Sequence, residues 1–178
     1  MEFDYRNTNR ELLNNLYNLS ILIPSYGNEQ YIEQTIASLY NQSFKPNGAE
    51  IIIGVDGDHS LLEKVIDIRK DNRETYDFKI FYCPENKGLF TMKNTLLKVR
   101  NQSNDVLWFD SDDVMNKELL YNILHREGDI KRFRYSMLLD DKEYKQPVYD
   151  FANGSLYITK ETIDKIDERL YEIQSKQR

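Results

Sequence analysis

Four short apolar runs recur at nearly even spacing: SILIPS (20–25), EIIIGVD (50–56), FKIFYC (78–83) and DVLWFD (105–110). Runs of this length without polar alternation suit strands covered on both faces, the condition of a parallel sheet. The stretches between them carry helical stripes. Ile32, Ile36, Leu39 and Tyr40 form one, Leu62, Val65 and Ile66 a second, and Leu89, Met92, Leu96 and Val99 a third. Strand starts recur about every 30 residues, the length of a βαβ unit. Three successive units predict an α/β fold with an open, doubly wound, mostly parallel, Rossmann-like sheet.

Beyond Asp113 the rhythm changes. KELLYNILH (117–125) predicts a short helix, RFRYSMLL (132–139) and QPVYDF (146–151) a hairpin across DDKEYK, and SLYIT (155–159) one more strand. Ile163, Ile166, Leu170 and Ile173 line a closing helix with Thr159 as its expected N-cap. Residues 1–18 are Asn-rich and polar, with a leucine pattern at Leu12, Leu13 and Leu16, and predict a leader packed on the domain edge. No internal repeat or low-complexity linker divides 19–178, which is expected to form a single domain with a small mixed C-terminal half.

Composition narrows the function classes. The 178 residues suffice for one core, and a net charge of −6 argues against indiscriminate polyanion binding. The local basic cluster Lys131-Arg132-Phe133-Arg134 reads as a solvated edge or a contact for an acceptor. Cys83 stands alone, which excludes an intramolecular disulfide and reads as an inert core thiol. No apolar stretch reaches the length of a membrane span, and the polar, acidic start is unlike a signal peptide, so a cytoplasmic location is expected. His59 and His125 belong to no metal-spacing motif, which argues against zinc.

The chemistry gathers where strands end. In open parallel sheets ligands bind beyond the carboxyl ends of the strands. Asp56 and Asp110 each terminate a predicted strand, and Asp112 lies in the turn just after. Carboxylates converging there repel one another, and a divalent cation with oxygen ligands, Mg²⁺ or Mn²⁺, removes that cost. The plain alternative for Asp110-Ser111-Asp112-Asp113 is a turn followed by an acidic helix cap. Asp56-Gly57-Asp58 repeats the D-x-D spacing, and is read as turn chemistry because it sits on a flanking strand.

Taken together, these segments resemble the family 2 glycosyltransferases of GT-A fold. Ser20–Ser25 with Tyr26-Gly27-Asn28 resembles the family's first strand and nucleotide-contacting loop, and Ile51–Asp56 its second strand, ending in a base-binding aspartate. Asn86-Lys87-Gly88, with Asn94 further on, resembles the N-x-G-x-x-x-A-R-N segment, and Asp110-Ser111-Asp112 stands at the D-x-D metal motif. Asn153-Gly154-Ser155-Leu156-Tyr157 resembles the acceptor-side stretch. The likeness runs from about Leu19 to Leu170, and order and spacing carry it.

The resemblance implies a GT-A fold with a nucleotide-binding half (19–113) and an acceptor-side half (114–178). It implies transfer of a sugar from a nucleotide-diphosphate donor, a UDP-sugar, to a hydroxyl acceptor, with Mn²⁺ or Mg²⁺ and inversion. Donor contacts are expected from Pro24, Ser25, Tyr26, Asn28, Glu29, Asp56, Asn86, Lys87, Gly88, Lys93, Asp110 and Ser111, and metal ligation from Asp110 and Asp112. Tyr26 would stack on uracil, Pro24 would fix the loop presenting it, and Asp56 would accept the imide N–H; Tyr26 also reads as an ordinary surface aromatic. Met92-Lys93 departs from the family's Ala-Arg, and either lysine reads equally as solvated or as a diphosphate contact. The general base is expected among Asp167, Glu168 and Glu172, which also read as the solvated face of the closing helix, with Asp140, Asp141 and Asp150 in or beside the hairpin as further candidates.

Rival folds lack their motifs. A phosphoacceptor receiver needs an acidic pair after the first strand, where this chain has Pro24-Ser25-Tyr26. Neither G-x-G-x-x-G nor a Walker loop is present, and Tyr26-Gly27-Asn28 is not the Gly-rich basic loop of a sugar-nucleotide pyrophosphorylase. The remaining alternative is a non-catalytic or truncated nucleotide-sugar-binding domain of the same fold that needs a partner to complete its site. The oligomeric state, donor sugar and acceptor are not encoded in any motif, and the acidic balance disfavours a nucleic-acid acceptor.

Overall fold

A computed structural model of the chain describes residues 18–71, 76–125, 127–128, 130–132, 136–139, 142–145 and 156–163. Each of the four apolar runs is a strand: β1 Leu19–Ser25, β2 Glu50–Asp56, β3 Asp77–Cys83 and β4 Asp105–Trp108. They pair in parallel in the order β3-β2-β1-β4, with Leu22 beside Ile52 on one side and Trp108 on the other. Two antiparallel strands extend the sheet past β4, first β8 (Leu156–Ile158) and then β5 (Ile130–Arg132).

Both faces of the sheet are covered, as the unbroken apolar runs require. Alternate strand residues point to opposite sides. Ile21, Ile23, Ile51, Ile53 and Val55 pack with Ile32, Ile36 and Leu39 of α1 (Ile32–Tyr40) and with Leu61 and Val65 of α2 (His59–Asp71). Leu22, Ile52, Val106 and Trp108 pack instead on Met92 and Leu96 of α3 (Leu89–Val99). Each such fully buried aliphatic side chain contributes about 1.5–3 kcal/mol. The α2 stripe is rotated by one residue from expectation: Leu61 is fully buried, Leu62 half-buried, and Ile66 39% exposed. Asp58, just before the helix, caps it by accepting the Leu61 N–H on its carboxylate at 3.0 Å.

The later segments depart further from expectation. The short helix is trimmed to α4, Leu119–Leu124. The hairpin pairs β6 (Ser136–Leu139) with β7 (Lys142–Lys145), so Lys-Glu-Tyr-Lys, expected as the turn, is itself a strand. Ile130–Arg132, at the start of the basic cluster, is a separate strand on β8. α5 begins at Lys160–Ile163; the Thr159 hydroxyl meets that of Thr162 at 3.1 Å, while the Thr159 carbonyl accepts the Thr162 and Ile163 N–H groups. The leader helix pattern, Asp140, Asp141, Asp150, Asn153 to Ser155, and the rest of the closing helix lie outside the described residues. Among the described residues no helix is long and apolar enough to cross a membrane.

Candidate active site

At the carboxyl ends of β1, β2 and β4 lies one hollow of about 320 Å³. Its walls are Pro24, Ser25, Tyr26 and Asn28 after β1, Asp56 ending β2, Asn86, Gly88, Leu89 and Met92 around the start of α3, and Asp110, Ser111 and Asp112 after β4. Ten of the residues expected from the sequence thus line a single space. A larger cavity of about 460 Å³ sits at the amino end of β3, between Arg69, Lys70 and Tyr76, away from every strand-end carboxylate.

Hydrogen bonds explain why these loops converge. The buried Asp56 carboxylate accepts the backbone N–H groups of Lys87 and Gly88, each at 2.8 Å. The anion met by the start of α3 is therefore a side chain of the protein. Gly57 bends away from the strand at φ +76°, and an added Cβ there would stand 2.4 Å from the Asn86 nitrogen. Gly88 takes φ +86° at the helix start, where its N–H also meets Asn86 Oδ1 at 2.9 Å.

The Tyr26 loop is held from two sides. Asp58 accepts the Gly27 N–H at 3.1 Å, in keeping with its reading as turn chemistry, and Asn28 Nδ2 donates to Ser111 Oγ at 2.8 Å. Tyr26 itself is 59% exposed, its ring presented at the mouth. Glu29 points elsewhere: its carboxylate accepts the Ser60 hydroxyl and its carbonyl the Lys64 ammonium, tying the loop to α2.

Neither lysine lines the hollow. The Lys87 ammonium pairs with the Glu85 carboxylate at the surface. Lys93 is buried, its nitrogen 5.3 Å from the centroid of the Trp108 ring. Burial pushes its pKa down, and the negative charge of Asp110 opposes that shift. Lys93 therefore acts as a countercharge within the protein, behind the carboxylates. A stripe reading of α3 cannot reveal this, because a lysine stem packs like an apolar side chain.

The carboxylates are costly as they stand. Burial raises the Asp110 pKa to about 6, Lys93 partly offsets the rise, and Asp113 and Asp112 add to it. Asp113 is also raised, by burial and then by Asp112. Among the described residues no three His, Cys, Asp or Glu side chains gather closely enough to cage a metal ion. A half-enclosed, oxygen-only pair in surplus negative charge fits a Mg²⁺- or Mn²⁺-type ion that takes its other ligands from phosphate and water. Asp167, Glu168 and Glu172 lie outside the described residues. Cys83 is half-buried, its thiol directed to the Glu85 carbonyl at 3.0 Å.

Comparison with known proteins agrees with this geometry. The family model "Glycosyl transferase family 2" matches residues 20–129, more than half of the chain. The abequosyltransferase RfbV of Salmonella typhimurium is 30% identical over 116 residues, covering 63% of this chain and 34% of RfbV. Residues 1–349 of Staphylococcus aureus TarS, solved with UDP-GlcNAc, superpose with a TM-score of 0.63 at 22% identity, over 83% of this chain and 47% of that one. The mannosyltransferase PcManGT of Pyrobaculum calidifontis, solved with GDP-Man and Mn²⁺, gives 0.54 at 17% identity, over 59% and 30%. The two superpositions establish a shared GT-A fold. The chain spans about a third of RfbV and under half of the solved TarS chain.

Proposed function

The chain belongs to glycosyl transferase family 2, and from that premise we propose that it transfers a sugar from a UDP-linked donor to a hydroxyl acceptor, with inversion, using Mn²⁺ or Mg²⁺. The observation that carries this reading is the single hollow lined by Tyr26, Asp56, Asp110 and Asp112 at the ends of three neighbouring strands. Pro24 and the paired loop bonds hold Tyr26 as a face for the uracil ring. Asp56 retains acceptor capacity beyond its two backbone bonds, and takes the imide N–H, a donor that cytosine lacks. Ser25, Asn86 and Gly88 line the same hollow, where the ribose and diphosphate of such a donor would lie.

Asp112 and Asp110 would hold the cation, with Lys93 behind them limiting the surplus charge. A divalent ion bound there supplies Lewis-acid neutralisation of the departing diphosphate. The inverting reaction also requires a base for the acceptor proton, the role given to the acids at 167, 168 and 172.

Isothermal titration tests the reading. UDP is expected to bind in the presence of Mn²⁺, more weakly with EDTA, and CDP more weakly than UDP in either buffer. Equal affinity for UDP and CDP, or no dependence on Mn²⁺, overturns it. A donor-hydrolysis assay on the same samples separates an active transferase from a binding domain that a partner completes, since the latter binds without turnover.

A further inference from the structure

The turn that carries the metal carboxylates has little structure of its own. Between Asp110 and α4, residues 111–118 form neither helix nor strand, and among the described residues their internal backbone bonds are Asp113 N–H to Asp110 and Leu119 N–H to Asn116. Buried backbone groups without partners are costly, so something else must satisfy this segment. Ser43 N–H meets the Lys117 carbonyl at 2.9 Å and Asn116 Oδ1 accepts the Glu118 N–H at 3.0 Å, and further partners come from one face of α1 and the residue just past it. The hydroxyl of Thr35, fully buried, donates to the Ser111 carbonyl at 2.9 Å. One turn on, Ser38 Oγ accepts the Met115 N–H at 2.9 Å while donating to the Thr35 carbonyl at 2.7 Å. Just past the helix end, the Gln42 amide donates to the Asn116 carbonyl at 2.9 Å and accepts the Leu120 N–H at 3.1 Å.

We infer that Thr35, Ser38 and Gln42 are positioning residues of the nucleotide–metal site, a buried polar seam on α1 that fixes the Asp110–Asp112 turn at the mouth of the hollow. The inference rests on the function proposed above and deepens it. Helical spacing places the three side chains in a row at i, i+3 and i+7, beside the apolar stripe that anchors α1 to the sheet. Thr35 and Ser38, both on the helix, reach the irregular backbone at Ser111 and Met115, and Gln42, just beyond it, reaches Asn116 and the first turn of α4. The turn therefore inherits the position of α1, and through it that of β1, whose own loop supplies Tyr26. Asn28 closes the arrangement from the other side, on the Ser111 hydroxyl. Base contacts and metal ligands are thereby set on one frame.

The seam predicts a selective defect. Thr35→Val keeps the side-chain shape but removes the donor to Ser111, whereas Thr35→Ser retains it. With Mn²⁺ present, Thr35→Val is expected to weaken UDP binding by about 10-fold or more, the loss typical when outer partners of metal ligands are removed. Binding of UDP in EDTA should be unchanged, and Thr35→Ser should restore Mn²⁺-dependent affinity to within about 2-fold of the native value, since the donor bond is kept. Ser38→Ala carries the same expectation should Thr35→Val fail to fold, and must also speed hydrogen exchange at the Met115 amide. Equal weakening with and without Mn²⁺, native affinity in Thr35→Val, or failure of Thr35→Ser to rescue overturns the inference while leaving the proposed function intact. Absence of Mn²⁺-dependent UDP binding in the native protein overturns both.

Discussion

Replacing Asp110 by Asn should stabilise the metal-free protein, and by an amount that depends on pH in a calculable way. Its carboxyl is held at about 6 against an ordinary value of 3.8, first by burial and then by Asp113 and Asp112, with Lys93 opposing. A raised carboxyl pKa means that the folded state binds the proton more tightly than the unfolded chain. Stability from this group is therefore fully present below about 4 and is lost as pH rises to about 6. Once ionised, Asp110 costs the folded state about 3 kcal/mol. Asn has the same shape and no charge to desolvate. Urea denaturation in EDTA from pH 4 to 7.5 should show the variant gaining on the native protein by about 2–3 kcal/mol, nearly all of it between pH 4 and 6.5. In a thermal scan that gain corresponds to roughly 5–10 °C at neutral pH. With Mn²⁺ and UDP the order should reverse, because only the native protein gains the binding free energy. A stability difference that stays flat across this pH range would refute the account of Asp110 as a buried, under-compensated carboxylate.

Other perturbations address the frame around it. Gly57→Ala should cost about 1–3 kcal/mol in a denaturation curve and weaken UDP binding, since it forces a side chain at φ +76° against the Asn86 backbone. Asp58→Ala removes both the α2 cap and the bond to the Gly27 N–H; a loss of about 1–2 kcal/mol by thermal melt is expected, with a raised KM for donor at little change in kcat. Asp56→Asn should reduce the preference for UDP over CDP in competition titrations, because an amide presents a donor where the carboxylate had two acceptor oxygens for Lys87 and Gly88.

Legibility in the sequence followed how much of the signal was apolar. The strands are legible because their runs are mainly apolar, β1 and β2 being buried along their whole length while β3, carrying Lys79, is only partly covered, and Asp56 at the end of β2 and Asp110 just after β4 then fall on one rim. The short strands β5 to β8 carry three or four residues each, too few for a period to emerge, and their pairing is set by contacts distant in the chain. The lysines are hard to read for a different reason. A cationic residue near a phosphate-binding helix invites a ligand role, yet Lys93 turns its stem into the core beside Trp108, and Lys87 contributes its backbone rather than its charge.

The polar seam along α1 is not legible in the sequence, and it shows what an apolar stripe does not carry. Thr35, Ser38 and Gln42 lie beside Ile32, Ile36 and Leu39, so they widen the buried face of the helix instead of opposing it. A scan for hydrophobic periodicity treats them as the edge of a solvated surface. Their meaning depends on a neighbour with unsatisfied backbone, and that neighbour is 74 to 78 residues away in sequence. The usable signal is the pairing of two facts. One helix has short polar residues at i and i+3 flanking its apolar stripe, with a glutamine at i+7 just past its end, and one irregular segment, 111–118, follows shortly after a buried strand. A parallel strand that ends in a ligand-binding turn must leave backbone groups for something to hold. Because α1 is packed on the same sheet from which that turn emerges, its polar edge is the nearest rigid surface able to do so.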